Sequence, residues 1–352
     1  MGRGHDRTIG AAPSMIDGQE PEARSLRAIT NLPCFLVGAF LVGVSLVGLA
    51  PGSLYHRIVR SSLLLVALLA ACAASPTAHD PELVVTTTGR AIASLQRAPH
   101  DPAQHLETCK VFHHVFAPDG RLLTKGQGGE FPHHRGLFLG WNQMQWRGAG
   151  YDFWHCSHGE TQQFRDFLPA QSMGLTDDWQ VSAIDWCVAN GTAIVRERRA
   201  LRARELGIEV AVLDVRSELL AEDSAVRLAG DPQHAGEQFR ALQQFAEKDA
   251  APVRYLRPAS AVGEANDVWK GCEWIAGVLP MPGGDVTVLR VEGRNNPRPT
   301  VWSTRPYGRF GATFTTELQP GTPLQLSWTY VIALGARDTA WCQSMAAAVL
   351  RQ

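Results

Sequence analysis

From Leu324 to Leu334 the chain alternates with a period of two. Leu324, Leu326, Trp328, Tyr330, Ile332 and Leu334 fall on one side, with Gln325, Ser327 and Thr329 between them. Successive side chains of a strand point to opposite faces, so this pattern predicts a strand with one face in a core. Asn190-Gly191, set between Trp179–Val188 and Thr192–Arg204, is the dipeptide of a tight hairpin turn and predicts two antiparallel strands. Leu83–Thr88, Thr108–Phe116, Ile208–Leu219 and Val286–Glu292 read as further strands. A helix is expected over Asp338–Arg351, with Asp338 as N-cap and Trp341, Met345 and Val349 along one stripe. A short helix is expected between Pro232 and Glu247. Many strands separated by turn residues, with few helices, predict an all-β chain: one large antiparallel β-sandwich over residues 82–352, closed by a short C-terminal helix.

The segments ahead of that domain read as an export leader. Arg57 and Arg60 supply positive charge, Ser61–Leu69 an apolar run, and Ala70-Ala71-Cys72 a small-residue cleavage site. Such a run, nine residues long, is too short to span about 30 Å of hydrocarbon. Leu69-Ala70-Ala71-Cys72 resembles the lipobox of bacterial lipoproteins, which implies a diacylglyceryl group on the Cys72 sulfur. The expected organisation is an extension upstream of the true start over 1–53, a lipoprotein signal peptide over 54–71, and a linker over 72–81. Within the extension, the apolar stretch Cys34–Ala50 is broken by Gly38, Gly43 and Gly48. The protein is then exported, to the periplasm or the outer membrane, and held there by its lipid.

Lysine and arginine together number 33 against 34 acidic residues, a net charge of -1 that points to no nucleic-acid partner. Of seven cysteines, Cys34 and Cys72 belong to the leader. The remaining five, Cys109, Cys156, Cys187, Cys272 and Cys342, form no CxxC pair, so no zinc knuckle is indicated.

The polar signal is concentrated in Gly126–Trp141, which contains Pro132-His133-His134-Arg135-Gly136, and in Tyr151–Glu160, which reads YDFWHCSHGE. Four of the twelve histidines lie here among several glycines. Glycine lets backbone approach a ligand closely. PHHRGLFLGW followed by GYDFWH resembles the PmoA-like family of bacterial proteins. Further matches lie at Asp231–Arg240, Asn296-Pro297-Arg298-Pro299, Trp302 and Arg305-Pro306-Tyr307-Gly308. The resemblance implies a large β-sandwich like that of aldose epimerases, and a sugar-related role.

Two chemistries fit the constellation. In the first, acid–base work on a carbohydrate or similar polyol, His133, His134, His155 and Glu160 transfer protons. Arg135, Asp152, His234, Arg240, Arg298 and Arg305 then bind substrate oxygens, and Trp141 or Trp154 offers a flat face to a sugar ring. In the second, His134, His155 and His158, with Glu160, hold a divalent metal such as zinc, copper or iron. On a straight strand His155 and His158 point to opposite faces, so the metal set requires a bend, which Gly159 allows. A non-catalytic carbohydrate-binding module is a further alternative, distinguished by an aromatic face with no titratable group in reach.

Overall fold

The computed structural model describes residues 80–351, so the leader, the linker's first residues and Cys72 lie outside the described residues. The described residues form one compact unit. It is an all-β sandwich of antiparallel sheets with one short C-terminal helix, as the sequence predicts. No helix among the described residues is long and apolar enough to cross a membrane.

The first large sheet has nine strands. In spatial order they are Leu83–Val85, Ala91–Gln96, Phe112–Val115, Leu137–Trp141, Ala235–Arg240, Arg309–Thr313, Val301–Arg305, Val268–Lys270 and Val262–Glu264. The second has eight: Arg254–Leu256, Trp274–Leu279, Val286–Glu292, Leu324–Leu334, Val210–Ala221, Ala193–Glu205, Gln180–Cys187 and Thr161–Leu168. A four-stranded sheet is formed by Thr316–Leu318, Val226–Leu228, Met144–Trp146 and Ala149–Tyr151.

Register explains the alternation. Leu324–Leu334 pairs with Val210–Ala221 so that Trp328 lies opposite Val215 and Tyr330 opposite Leu213. All four join Leu326 and Ile332 in the main core, where they meet Leu139, Trp141, Phe239 and Phe310 of the nine-stranded sheet. The opposite face of the same strand is covered too. Val331, Val212, Leu289 and Trp274 pack under the helix Thr339–Leu350 through Cys342 and Ala346, flanked by Trp341, Met345 and Val349. The Asp338 carboxylate caps that helix, accepting the Trp341 N–H at 2.8 Å.

The sandwich interior carries charge as well as hydrocarbon. Arg290 is fully buried between Glu237 (2.8 Å) and Glu292 (2.7 Å), and the Tyr330 hydroxyl donates to Glu237. On the other side Glu197 accepts from Arg199, Ser217 and Trp186. Each buried arginine of the interior thus has its carboxylate, as burial of charge requires.

Ala235–Arg240 corrects the expectation of a helix there: it is a central strand, flanked by Leu137–Trp141 and Arg309–Thr313. Its inward side chains, Ala235, Glu237 and Phe239, include a glutamate, which masks the strand pattern. A 3-10 turn at Gln243–Ala246 is the helical part of that region.

Candidate functional site

The site lies on the outer face of the nine-stranded sheet. Phe138 on Leu137–Trp141 and Gln238 and Arg240 on Ala235–Arg240 alternate with the core-facing residues of their strands, and Arg309 bonds to Gln238 from the next. Two loops are laid over this face. Gly140 makes one of them fit: a Cβ there would stand 2.5 Å from the Phe153 carbonyl oxygen. Gly136, at φ +46°, turns the chain from His134-Arg135 into the strand, where a Cβ would meet the His113 carbonyl oxygen at 2.1 Å. Trp154 then packs on Phe112 and Phe138 as a small separate apolar cluster.

Imidazoles gather on this platform. The ring centroids of His133 and His134 are 4.2 Å apart, those of His133 and His155 4.5 Å, and those of His155 and His234 5.0 Å. Trp154 borders both His134 and His234. Phe131 stacks on Tyr307 at 5.0 Å, and both lie beside His134.

Two of these histidines are built alike. His155 Nδ1 lies 2.7 Å from Asp152 Oδ2, while Asp152 Oδ1 accepts the backbone N–H groups of Trp154 and His155. His234 Nδ1 lies 2.9 Å from Asp231 Oδ1, which also accepts the Gln233 N–H, and Asn142 donates to Asp231 Oδ2 at 2.7 Å. In both turns the aspartate orients the histidine three residues on. Burial raises the pKa of each aspartate, but the hydrogen bonds from its histidine and the neighbouring N–H groups outweigh this, so both are held below the usual carboxylate range. Ionised aspartate at Nδ1 fixes the Nδ1–H tautomer and leaves Nε2 as the basic nitrogen. Among the described residues no hydrogen bond engages Nε2 of either ring, and the side chains are 31% and 37% exposed.

His133 and His134 differ in kind. Burial, followed by the positive charge of Lys110, pushes His133 down to about 2. Burial also takes His134 well below the ordinary histidine value, and both of its ring nitrogens are buried without a partner. Both rings are neutral at any physiological pH.

The other expected site residues fall elsewhere. Glu160 is buried, and its oxygens accept the backbone N–H groups of Asp152 (3.0 Å) and His158 (2.9 Å). It therefore braces the loop and is no proton-transfer group of the cluster. Trp141 is wholly buried, donating to the Phe314 carbonyl and packed on Trp186, so it is core and no sugar platform. Trp154 is equally buried and supports the rings from below. Arg135 spends its guanidinium on the carbonyls of Leu106, Glu107 and Pro132, which ties the His133-His134 loop down. Arg298 bonds to Thr300 and Gly293 in a different loop, away from the cluster. Arg305 holds the Asn266 carbonyl at 3.0 Å, and Gln233 donates to the same oxygen at 2.7 Å, which places it beside the Asp231 turn.

The metal set His134, His155, His158 does not converge. His158 is 78% exposed, 3.9 Å from Glu160, because its own backbone is drawn to that carboxylate. Among the described residues no group of three or more His, Cys, Asp or Glu is placed to hold a metal ion. All five described cysteines are free and buried.

Sequence reasoning missed Asp231, Phe131, Tyr307, Lys110, Lys125 and Arg309. A signal for the first existed: Asp152-x-x-His155 and Asp231-x-x-His234 share a spacing. A groove of about 640 Å³ runs beside the Asp152 turn and is lined by Asn142, Gln145, Tyr151, Asp152 and His158, while His155 and His234 do not line it.

Fold and site together define a β-sandwich protein with an imidazole-rich surface site. The chain belongs to DUF6807, a family of unknown function whose model matches residues 82–347. No curated protein matches the sequence. Among solved structures it is similar to a protein assigned as a kojibiose phosphorylase, from the human microbiome, at 10% identity and a TM-score of 0.29, over 74% of this chain and 28% of that one. It is also similar to the heparan sulfate lyase HepC from Pedobacter heparinus, at 8% identity and a TM-score of 0.28, over 70% of this chain and 33% of that one. The chain spans a third or less of either, and at these scores neither bears on its reaction.

Proposed function

We propose that this protein acts by acid–base chemistry on a carbohydrate or a related small polar molecule, with His155 and His234 as the proton-transfer groups. The observation that carries the reading is the side-by-side pair of Asp–His dyads, each with Nδ1 committed to a carboxylate and Nε2 free. An imidazole so held takes a proton at Nε2, and its aspartate stabilises the imidazolium that forms. Two such groups 5.0 Å apart allow one to remove a proton while its neighbour, once charged, returns one. His133, neutral throughout, serves as a hydrogen-bonding wall, and the stacked Phe131 and Tyr307 supply an apolar surface for the C–H face of a sugar ring.

A purely sugar-binding role fits less well, because the tryptophans expected to form its platform are buried and the half-exposed groups are titratable. The reading extends to location: the protein is an exported lipoprotein anchored through Cys72, and a relative of the PmoA-like proteins. The test of the chemistry is a panel of mono- and oligosaccharides followed by proton NMR, which registers epimerisation, elimination and hydrolysis alike. Turnover that His155→Asn and His234→Asn each abolish is the expected result. Turnover indifferent to both substitutions refutes the assignment.

A further inference from the structure

The outer face of the nine-stranded sheet buries cations that have no carboxylate partner among the described residues. Lys110, Lys125, Arg135, Arg240 and Arg309 are each less than 5% exposed, and none forms an ion pair among the described residues. The contrast with the interior is sharp, since Arg290 and Arg199 are equally buried and both are paired. Buried charges without a counter-charge are rare because desolvation costs several kcal/mol per ion.

Three of the five are accounted for by backbone. Lys125 donates to the carbonyls of Gly128, Phe131 and His134, Arg135 to those of Leu106, Glu107 and Pro132, and Lys110 to that of Trp154. Arg240 and Arg309 are not fully used. Arg240 commits Nη1 to the carbonyls of Ala241 and Tyr307, but its Nε and Nη2 have no partner. Arg309 donates to Gln238, Ser303 and Gln233, and its Nε is left over. His134, both of whose ring nitrogens lack a partner, has its ring centroid 6.3 Å from that of Tyr307, and the Arg240 guanidinium lies 4.7 Å from the same centroid.

We propose that the substrate is an anionic sugar, whose carboxylate or sulfate is bound by Arg240 and Arg309 with His134 beside them. This rests on the carbohydrate reading above and adds the substrate class. A planar guanidinium with two adjacent free donors is suited to both anions, which it binds in bidentate fashion. Burial lowers Arg240 to about 10, so it remains charged at neutral pH. Tyr307, against which the Arg240 guanidinium lies, carries Phe131 stacked on its ring at 5.0 Å, so the same aromatic pair that faces the sugar ring adjoins the anion seat.

The test compares affinities of the protein for a uronate-containing oligosaccharide, a sulfated oligosaccharide, their neutral parent and free sodium sulfate, by titration calorimetry at low and high salt. At least one acidic sugar should bind tenfold or more tighter than the neutral parent, with the preference shrinking at high salt; the preferred one identifies the anion. Arg240→Met should erase the preference. Because Arg240 is buried, Arg240→Lys is made alongside, and it should retain part of the preference while losing the bidentate share. A neutral parent that binds and turns over as well as both acidic forms overturns the anionic class and leaves the acid–base reading standing. Free sulfate binding as tightly as the acidic sugars overturns it as well. Failure of every sugar to bind removes the carbohydrate reading itself.

Discussion

His155 and His234 face each other at 5.0 Å between ring centroids, and each takes its orientation from the aspartate three residues before it. The aspartates hold a tautomer and stabilise a charge, so their loss should be felt in the rate. Asp152→Asn and Asp231→Asn are each expected to lower kcat by about 10²-fold or more, the usual worth of a positioned proton-transfer group, with KM little changed. Steady-state kinetics decides. A change confined to KM would mean that the carboxylates only hold the ligand.

Glu160 behaves in the opposite way. Its buried oxygens accept two backbone N–H groups, and hydrogen bonds to a charged acceptor contribute about 1.5–3 kcal/mol each. Glu160→Ala is expected to cost about 3 kcal/mol or more in chemical denaturation, whereas His155→Asn, at a half-exposed position, should cost less than about 1 kcal/mol. Equal costs would contradict the distinction between a loop brace and a working group.

Stability should fall on mild acidification, for a reason visible in His113 and His134. Burial, with Arg199 next in importance, takes His113 down to about 3, and burial takes His134 well below its ordinary value. Below about pH 6.5 the unfolded chain therefore binds protons that the folded chain refuses, and each such histidine removes about 1.4 kcal/mol of stability per pH unit. The contribution is fully present above pH 6.5 and is lost as pH drops towards the folded values. His113→Gln should flatten the slope between pH 6 and 4 by that amount. An unchanged slope would show that His113 is not the neutral buried group described.

The proposed lipid anchor would be carried by Cys72. Cys72→Ser should abolish incorporation of a fatty-acid probe and move the protein from the membrane fraction to the soluble one. Labelling that persists in the variant would remove the lipoprotein reading.

Much of the sandwich was legible in the sequence because strands such as Leu324–Leu334 keep one hydrocarbon face, and because Asn190-Gly191 and Asp338 mark a turn and a cap by local chemistry. Ala235–Arg240 was not legible. Its inward Glu237 is tolerated through Arg290 and the Tyr330 hydroxyl, both on strands of the other sheet, and no local pattern reveals such partners. The site divides in the same way. His133, His134, His155 and His234 were visible as a polar block and a matching motif, but their roles depend on which atoms fill them. Arg135 and Glu160 look equally chemical in sequence, yet folding commits them to backbone. Tyr307 and Arg309 come from a distant hairpin and reach the site only through the pairing of Arg309–Thr313 with Ala235–Arg240.

The most direct test of the central claim is the rate at which the wild-type protein and a His155→Asn/His234→Asn double variant convert the same sugar, measured by proton NMR at matched folded concentration. The account predicts turnover by the wild type and a loss of at least about 10²-fold in the double variant, with the unfolding midpoint nearly unchanged. Equal rates in the two proteins would contradict it.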